Sequence, residues 1–469
     1  MITDSLLYNP ADTICAVSTP HGSGGIAVVR VSGSQVFGII SKIWKGKNLE
    51  EQASHTVHLG YIIDYRDGSV LDHGVATVFR GPASFTGEDV VELSIHGSLW
   101  IQKQLIDLLV SAGCRAALPG EFTRRAFASG RLDLAEAEAV ADVIAASSRA
   151  AHRLAVGQMR GTFSKMLDGM RGELVDLASL LELELDFSEE DVEFASRSRL
   201  RAMAESISLK LGQLASTFTA GQAIKSGIPI AILGKTNAGK SSLLNALVGD
   251  DRAIVSEIHG TTRDIVEDTA EIGPYLVRYR DTAGLRDTDD PIESMGIERS
   301  RQAARKAEII LFVIDSSTDF DEDDVRREIP ENDSDKVIFV LNKTDIATDI
   351  ASLRAAISTV YPSAKIVETQ ARSGLGIKEL RECILAYLDR MGGQAAQGEV
   401  MVTNVRHAQA LTEAAGSLKA VVAGLDTSVP IDFIAQDLRQ AIHHLSTITG
   451  AITTPELLQN IFRNFCIGK

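Results

Sequence analysis

The chain has 469 residues, too many for one ordinary domain and enough for about three. Hydrophobic residues make up 45% and charged residues 23%, the balance of a globular protein with material for a core. A net charge of −16 excludes indiscriminate nucleic-acid binding over the whole surface but is compatible with a local basic patch. Four scattered cysteines, Cys15, Cys114, Cys383 and Cys466, form no C-x-x-C pair, which argues against a disulfide scaffold and a compact zinc site. Met1 to Pro10 carries neither a basic nor an apolar leader region. The longest plainly apolar run, Ile309 to Ile314, is far short of the ~20 residues that cross a bilayer. The expectation is a cytoplasmic protein with no membrane partner.

From Asp12 to about Leu118 the texture is that of a small α+β domain. Ile26 to Val31, Thr56 to Ile63, Val75 to Phe79 and Val90 to Ile95 read as strands bounded by Gly, Asp and Pro, and a helix is predicted from Ser98 to Ser111. From Leu132 to Phe187 the texture is helical, with Leu167, Met170, Leu174, Leu177 and Leu181 making one apolar stripe. The same texture returns after Asn404, where Ile431, Ile434, Leu438, Ala441 and Leu445 line one face and Thr454-Pro455 opens a last helix. Each stripe needs a partner, and the simplest partner is the other. This predicts one all-α domain made from two pieces of chain; a coiled-coil dimer is the competing arrangement. Between the pieces, residues 228–389 alternate strand and helix, so a doubly wound, mostly parallel α/β sheet is inserted into the helical domain. The expected boundaries are 1–130, 131–227, 228–389 and 390–469.

The inserted segment carries the chemistry. Gly234-Lys235-Thr236-Asn237-Ala238-Gly239-Lys240-Ser241 is G-x-x-x-x-G-K-S, directly after an apolar strand and before a helix. Its glycines let backbone N–H groups wrap phosphates, Lys240 reaches the β/γ oxygens and Ser241 ligates Mg²⁺. Asp281-Thr282-Ala283-Gly284 follows another strand, with Asp281 suited to the outer sphere of the metal and the Gly284 N–H to the γ-phosphate. Asn342-Lys343-Thr344-Asp345 follows a third, and the Asp345 carboxylate can accept from guanine N1–H and N2–H₂ together, a pairing adenine cannot offer. Gln370-Ala371-Arg372 ends a later strand and is expected to bring a backbone N–H to guanine O6. Together with Ser242 beside the phosphate loop, these residues are expected to bind GTP. Where signalling GTPases carry a water-orienting Gln, this chain has Leu285, which cannot do that work.

Further motifs carry a resemblance. Val28-Val29-Arg30-Val31-Ser32-Gly33, Ser84-Phe85-Thr86-Gly87-Glu88-Asp89, Pro119-Gly120-Glu121-Phe122-Thr123, Arg131-Leu132-Asp133-Leu134, Gly260-Thr261-Thr262-Arg263-Asp264 and Phe465-Cys466-Ile467-Gly468-Lys469 closely resemble the tRNA-modification GTPases of the MnmE (TrmE) type. The resemblance runs from about Asp12 to Lys469. It implies an N-terminal tetrahydrofolate-binding domain that dimerises, a discontinuous helical domain and an inserted G domain. It also implies a homodimer acting on tRNA with a flavin-dependent partner, MnmG (GidA), in a heterotetramer. Carried over position by position, the folate site would use Arg30, Glu88, Arg131 and Lys469, with Cys466 in a catalytic or positioning role. Arg131 stands where the family pattern has Lys, which keeps the charge and changes the hydrogen-bond geometry. In the G domain the resemblance assigns Ser256, Thr261 and Thr262 to the nucleotide, Thr262 with Ser241 to Mg²⁺, and Asn237, Ser256, Ile258 and Thr261 to K⁺. It assigns Glu293 to orient the attacking water in place of Leu285. Gln370 departs from the more usual Ser. The alternative function is a regulatory switch like the ribosome-assembly GTPases, but nothing after Asp389 resembles a KH domain and there is a single P-loop.

Overall fold

The computed structural model describes residues 9–186, 196–249, 268–281, 302–329, 335–391, 400–427, 429–463 and 465–468. They divide into two compact units, 1–144 with 158–209 and 413–469, and 145–157 with 210–412. Among the described residues no helix is long and apolar enough to cross a membrane.

The first unit holds a seven-stranded sheet in the order β3-β4-β5-β6-β2-β1-β7. Its strands are β1 Ile14–Val17, β2 Ile26–Ser32, β3 Trp44–Lys45, β4 Thr56–Ile63, β5 Val70–Phe79, β6 Val90–His96 and β7 Arg115–Ala116. All pairs are antiparallel except β1 with β7. Period-two alternation sends Ala27, Val29, Val31, Val91, Leu93 and Ile95 to one face, where the helices Val36–Ile43 and Leu99–Ala112 cover them in a single apolar core. Residues of opposite parity, Arg30, Glu92, Val57, Leu59 and Tyr61, stand on the other face. The helix Val36–Ile43 and the strand β1 escaped sequence reading: both are short, and Gly38 lowers the helix propensity of its segment.

In the same unit the two predicted stripes meet. The helix Thr162–Asp186 packs against the helix Ile431–Thr449, burying Leu174, Leu177, Leu181, Leu438 and Leu445 to 0–1% exposure. Arg171 Nε donates to Ser446 Oγ at 3.2 Å, and Arg439 pairs with Glu182 at 3.7 Å, so the two helices run antiparallel. Thr454 caps the helix Pro455–Phe462 by accepting from the Leu457 N–H.

The second unit holds a six-stranded sheet in the order β13-β12-β11-β8-β10-β9. Its strands are β8 Ile228–Leu233, β9 Asp268–Ile272, β10 Tyr275–Asp281, β11 Ile309–Asp315, β12 Val337–Asn342 and β13 Lys365–Glu368. β8 lies between β10 and β11 and is parallel to both; β9 is an antiparallel edge. The helices Lys240–Val248 and Ile377–Met391 bury one face, while Ile350–Val360 and Val325 bury the other, which makes the sheet doubly wound. The strand order reverses at β8, so the crevice at its carboxyl end is where a ligand is expected.

Candidate functional site

At that crevice the chain turns from β8 into the helix Lys240–Val248 through left-handed Gly234 (φ 127°), Asn237 (φ 65°) and Gly239 (φ 96°). A Cβ on Gly234 would sit 2.2 Å from Val313 O, and one on Gly239 2.2 Å from Asn342 Nδ2, so both positions require glycine. Lys240 Nζ bridges the loop, donating to Gly234 O at 2.7 Å and Lys235 O at 2.8 Å. Exposed Ser241 stands in the first turn of the helix, whose N–H groups and positive dipole end favour anionic oxygens.

Asn342 ties this loop to the next. Only 2% exposed, it donates from Nδ2 to Ala238 O at 2.9 Å, while its Oδ1 accepts from Ala371 N at 3.0 Å and Thr369 Oγ1 at 3.2 Å. The Ala371 N–H, expected to face guanine O6, is thus directed to Asn342 in this structure; a buried amide oxygen left unpaired would cost roughly 1–3 kcal/mol. Lys343, at φ 60°, extends Nζ to Asp315 Oδ2 at 2.7 Å, and Ser317 donates twice to Asp315 Oδ1. Burial pushes the Asp315 carboxyl up, but the Lys343 and Ser317 hydrogen bonds more than offset it and hold the group below the usual carboxylate range. Asp345 is exposed. A cavity of about 920 Å³ is lined by Asn237, Gly239, Lys240, Ser241, Ser242, Asn342, Lys343, Asp345, Gln370, Ala371 and Arg372, with Ala238 buried beneath. Ser256, Ile258, Thr261, Thr262, Thr282, Ala283, Gly284, Glu293 and the side chain of Asp281 lie outside the described residues; the Asp281 backbone pairs with Ile232.

A second constellation occupies the first unit. Arg30 donates through Nε and Nη2 to Glu92 Oε1, each at 2.8 Å, and its guanidinium lies over the rings of Phe85 (5.0 Å) and Phe122 (5.6 Å). Its Nη1 is buried without a hydrogen-bond partner among the described residues, a donor that an anionic or carbonyl group of a ligand would satisfy. Glu88 accepts from Ser32 Oγ at 2.7 Å and from Arg125 Nη1 at 3.1 and 3.0 Å. Arg131 is exposed and its stem passes over the neighbouring glycine, with Cγ 3.3 Å from the Cβ position of Gly87. The segment around Cys466 closes on the same sheet. Gly120 N donates to Cys466 O at 3.4 Å, and Ser18 Oγ donates to Gly468 O at 3.1 Å, at the end of the strand that pairs with β2 through Ala16 and Arg30. Gly468 has φ 93°, and a Cβ there would lie 2.3 Å from Val17 O. Cys466 is exposed, and Lys469 lies outside the described residues.

Comparison with known proteins is decisive at this point. The family profile for the MnmE helical domain matches residues 134–466, and that for the GTP-binding protein TrmE N-terminus matches residues 13–131. The tRNA modification GTPase MnmE of Parabacteroides distasonis is 48% identical over 464 residues, 97% of this chain and 100% of that protein. The one from Cytophaga hutchinsonii is 46% identical over 470 residues, 100% of each. The chain belongs to the MnmE family of tRNA modification GTPases. Among solved structures, Era in complex with MgGDPNP and a segment of 16S ribosomal RNA matches 34% of this chain and 55% of that one, at 30% identity and a TM-score of 0.28.

In this MnmE-family chain the residues that sequence reading missed are those that support the site. Arg125 and Glu121, 2% and 1% exposed, pair at 3.1 Å; Arg115 joins Glu121 at 2.6 Å and Asp12 at 2.8 Å. The available signal was the i, i+4 spacing of Glu121 and Arg125 within Glu121–Ala128. Burial pushes the Glu121 carboxyl up, but hydrogen bonds from Arg115 and the Leu118 N–H, with the charges of Arg115 and Arg125, hold it below its ordinary value of 4.5. The folded value lies below the unfolded one, so this contribution is complete above about pH 4.5 and disappears as pH falls through the folded value. The melting temperature of the wild type should therefore drop steeply below pH 4.5. Glu121→Gln should cost about 3–5 kcal/mol at neutral pH and flatten that drop, as thermal melts across pH 3–7 would record.

Proposed function

We propose that this GTPase acts in the cytoplasm as a homodimer which, with the flavin-dependent MnmG (GidA) in a heterotetramer, modifies carbon 5 of the wobble uridine of certain tRNAs. The group installed is aminomethyl or carboxymethylaminomethyl, with its one-carbon unit supplied by a tetrahydrofolate derivative. Residues 1–130 form the folate-binding, dimerising domain, 228–389 the G domain, and 131–227 with 390–469 the helical domain. The Asp345 carboxylate selects guanine, while Lys240 and the N–H groups from Asn237 to Ser242 hold the phosphates. Thr282, Ala283 and Gly284 follow the γ-phosphate, and Gln370, Ala371 and Arg372 close over the base. Ser241 and Thr262 would hold Mg²⁺, with Asp281 in its outer sphere, and the ion would offset negative charge on the phosphates. Asn237, Ser256, Ile258 and Thr261 would hold K⁺ near the phosphates. Glu293 orients the attacking water, the work Leu285 cannot do. Arg30, Glu88, Arg131 and Lys469 bind folate, with Cys466 beside it.

The seating of Cys466 to Gly468 on the sheet that carries Arg30 supports the folate half of this reading. Deleting Cys466 to Lys469 removes a thiol and a cation from that site and nothing from the nucleotide cavity. Turnover of GTP should persist within about twofold, while mass spectrometry of tRNA nucleosides from cells carrying only the truncated chain should show the modification gone. Survival of both activities would sink the assignment.

A further inference from the structure

Resting on the reading of Arg30 and Glu88 as a folate site, we infer that Arg125 is a positioning residue that fixes the Glu88 carboxylate toward the ligand. Glu88 and Asp12 are the partly exposed ends of a charged relay whose middle is hidden: their side chains are 27% and 32% exposed, while Arg125 is 2% and Glu121 1% exposed. Arg125 Nη1 reaches both Glu88 oxygens, at 3.1 and 3.0 Å, and Nη2 is held by Glu121 Oε1 at 3.1 Å and Asn9 O at 3.4 Å. Glu121 is in turn clamped by Arg115 and by the Leu118 N–H at 2.9 Å. The guanidinium cannot swing away without exposing buried charge, so it defines where Glu88 points. Ser32 Oγ, at 2.7 Å from Glu88 Oε2 and 2.7 Å from Thr86 Oγ1, fixes the carboxylate from the opposite side.

The charge count gives the arrangement a direction. Asp12, Glu121 and Glu88 face Arg115 and Arg125, which leaves one unbalanced negative charge, and Glu88 is the partly exposed carboxylate that Arg125 holds. The Arg30–Glu92 pair on the adjoining strand is neutral as a pair. What the relay presents at the Glu88 end is therefore an oriented carboxylate acceptor, suited to a ligand edge carrying paired N–H donors such as the amino-pyrimidinone of a pterin. Arg125 Nε is buried without a partner among the described residues, so part of its hydrogen-bonding capacity is forgone to keep this orientation.

The test is a double-mutant cycle on the full chain, with calorimetric binding of 5-formyltetrahydrofolate as the readout and GTP turnover as the control for folding. Arg125→Gln and Glu88→Gln should each weaken folate binding by about ten- to hundredfold. The double variant should be no weaker than Glu88→Gln alone, because Arg125 acts only through Glu88. If Arg125→Gln does not fold, Arg125→Lys replaces it in the cycle; a smaller loss is expected, and none beyond Glu88→Gln when the two are combined. Folate binding by the wild type together with additive losses, or with no effect at 125, would overturn the positioning role and leave the folate site standing. No folate binding by the wild type would overturn the site and this inference together.

Discussion

Asp345→Asn should lower GTP affinity by roughly 10²–10⁴ and make xanthosine triphosphate the preferred nucleotide. A carboxylate accepting from N1–H and N2–H₂ makes two charge-assisted bonds, each contributing about 1.5–3 kcal/mol, and every 1.4 kcal/mol is tenfold in affinity. The amide presents a donor where guanine also presents one, so one bond becomes a clash of like dipoles. Xanthine, which carries a carbonyl in place of the amino group, restores the match. The effect should be clean because Asp345 is exposed and forms no ion pair among the described residues, whereas the buried cross-tie at Asn342 is untouched. The melting temperature of the variant should therefore match the wild type. Competition of both triphosphates against a fluorescent guanine nucleotide measures the switch; continued preference for GTP would remove the 342–345 loop from base recognition.

Hydrolysis by the wild type should be faster in K⁺ than in Na⁺ by tenfold or more, and both the gain and its ion selectivity should vanish when Asn237 loses its amide. A GTPase with leucine at the water-orienting position, and with no arginine finger assured by its sequence, needs another device in place of one worth roughly 10³–10⁵ in rate. A monovalent cation held by neutral oxygens is the remaining way to neutralise charge near the β–γ bridge, and such a cage selects by size and ligand field. Asn237 sits in the phosphate loop at φ 65°, a conformation asparagine tolerates better than alanine. Asn237→Gly is thus the sharper probe, since it removes the carbonyl oxygen without strain, and Asn237→Ala should behave alike in ion response. Glu293→Ala should hydrolyse slowly in either salt. In K⁺ with a transition-state mimic of GTP, the two G domains of the proposed homodimer should associate, as light scattering of the isolated nucleotide states would show. Equal wild-type rates in the two salts would refute the potassium site, and unchanged turnover of Glu293→Ala would refute its role with water.

Periodicity carried the fold where one face decides. β4 spans Thr56–Ile63 as predicted, because alternation there is uninterrupted, and the Leu174–Leu181 and Leu438–Leu445 stripes found each other because neither helix can be stable with such a face in water. β5 begins at Val70 rather than Val75, since Asp72 is a buried acceptor for the His73 and His96 N–H groups and so breaks the apolar pattern it belongs to. The phosphate loop was legible because its glycines and lysine act locally. The charged relay was not: Asp12, Glu88, Arg115 and the Glu121–Arg125 pair come from four separate segments, and only the Glu121–Arg125 spacing hints at an interaction. Asn342 shows the same limit, since sequence puts it at the base while the fold uses its amide to lock the phosphate and base loops together.

The hydrogen bond from Ser18 to Gly468 joins positions 450 residues apart, and this has a bearing on when the protein becomes competent. As the chain emerges from the ribosome, β1 and β2 can pair early, but the wall supplied by residues 465–468 cannot exist until the whole nucleotide-binding segment has been made. A chain without residues 465–468 would keep the β1–β2 pair and the phosphate loop but would lack the hydrogen bonds from Ser18 to Gly468 and from Gly120 to Cys466.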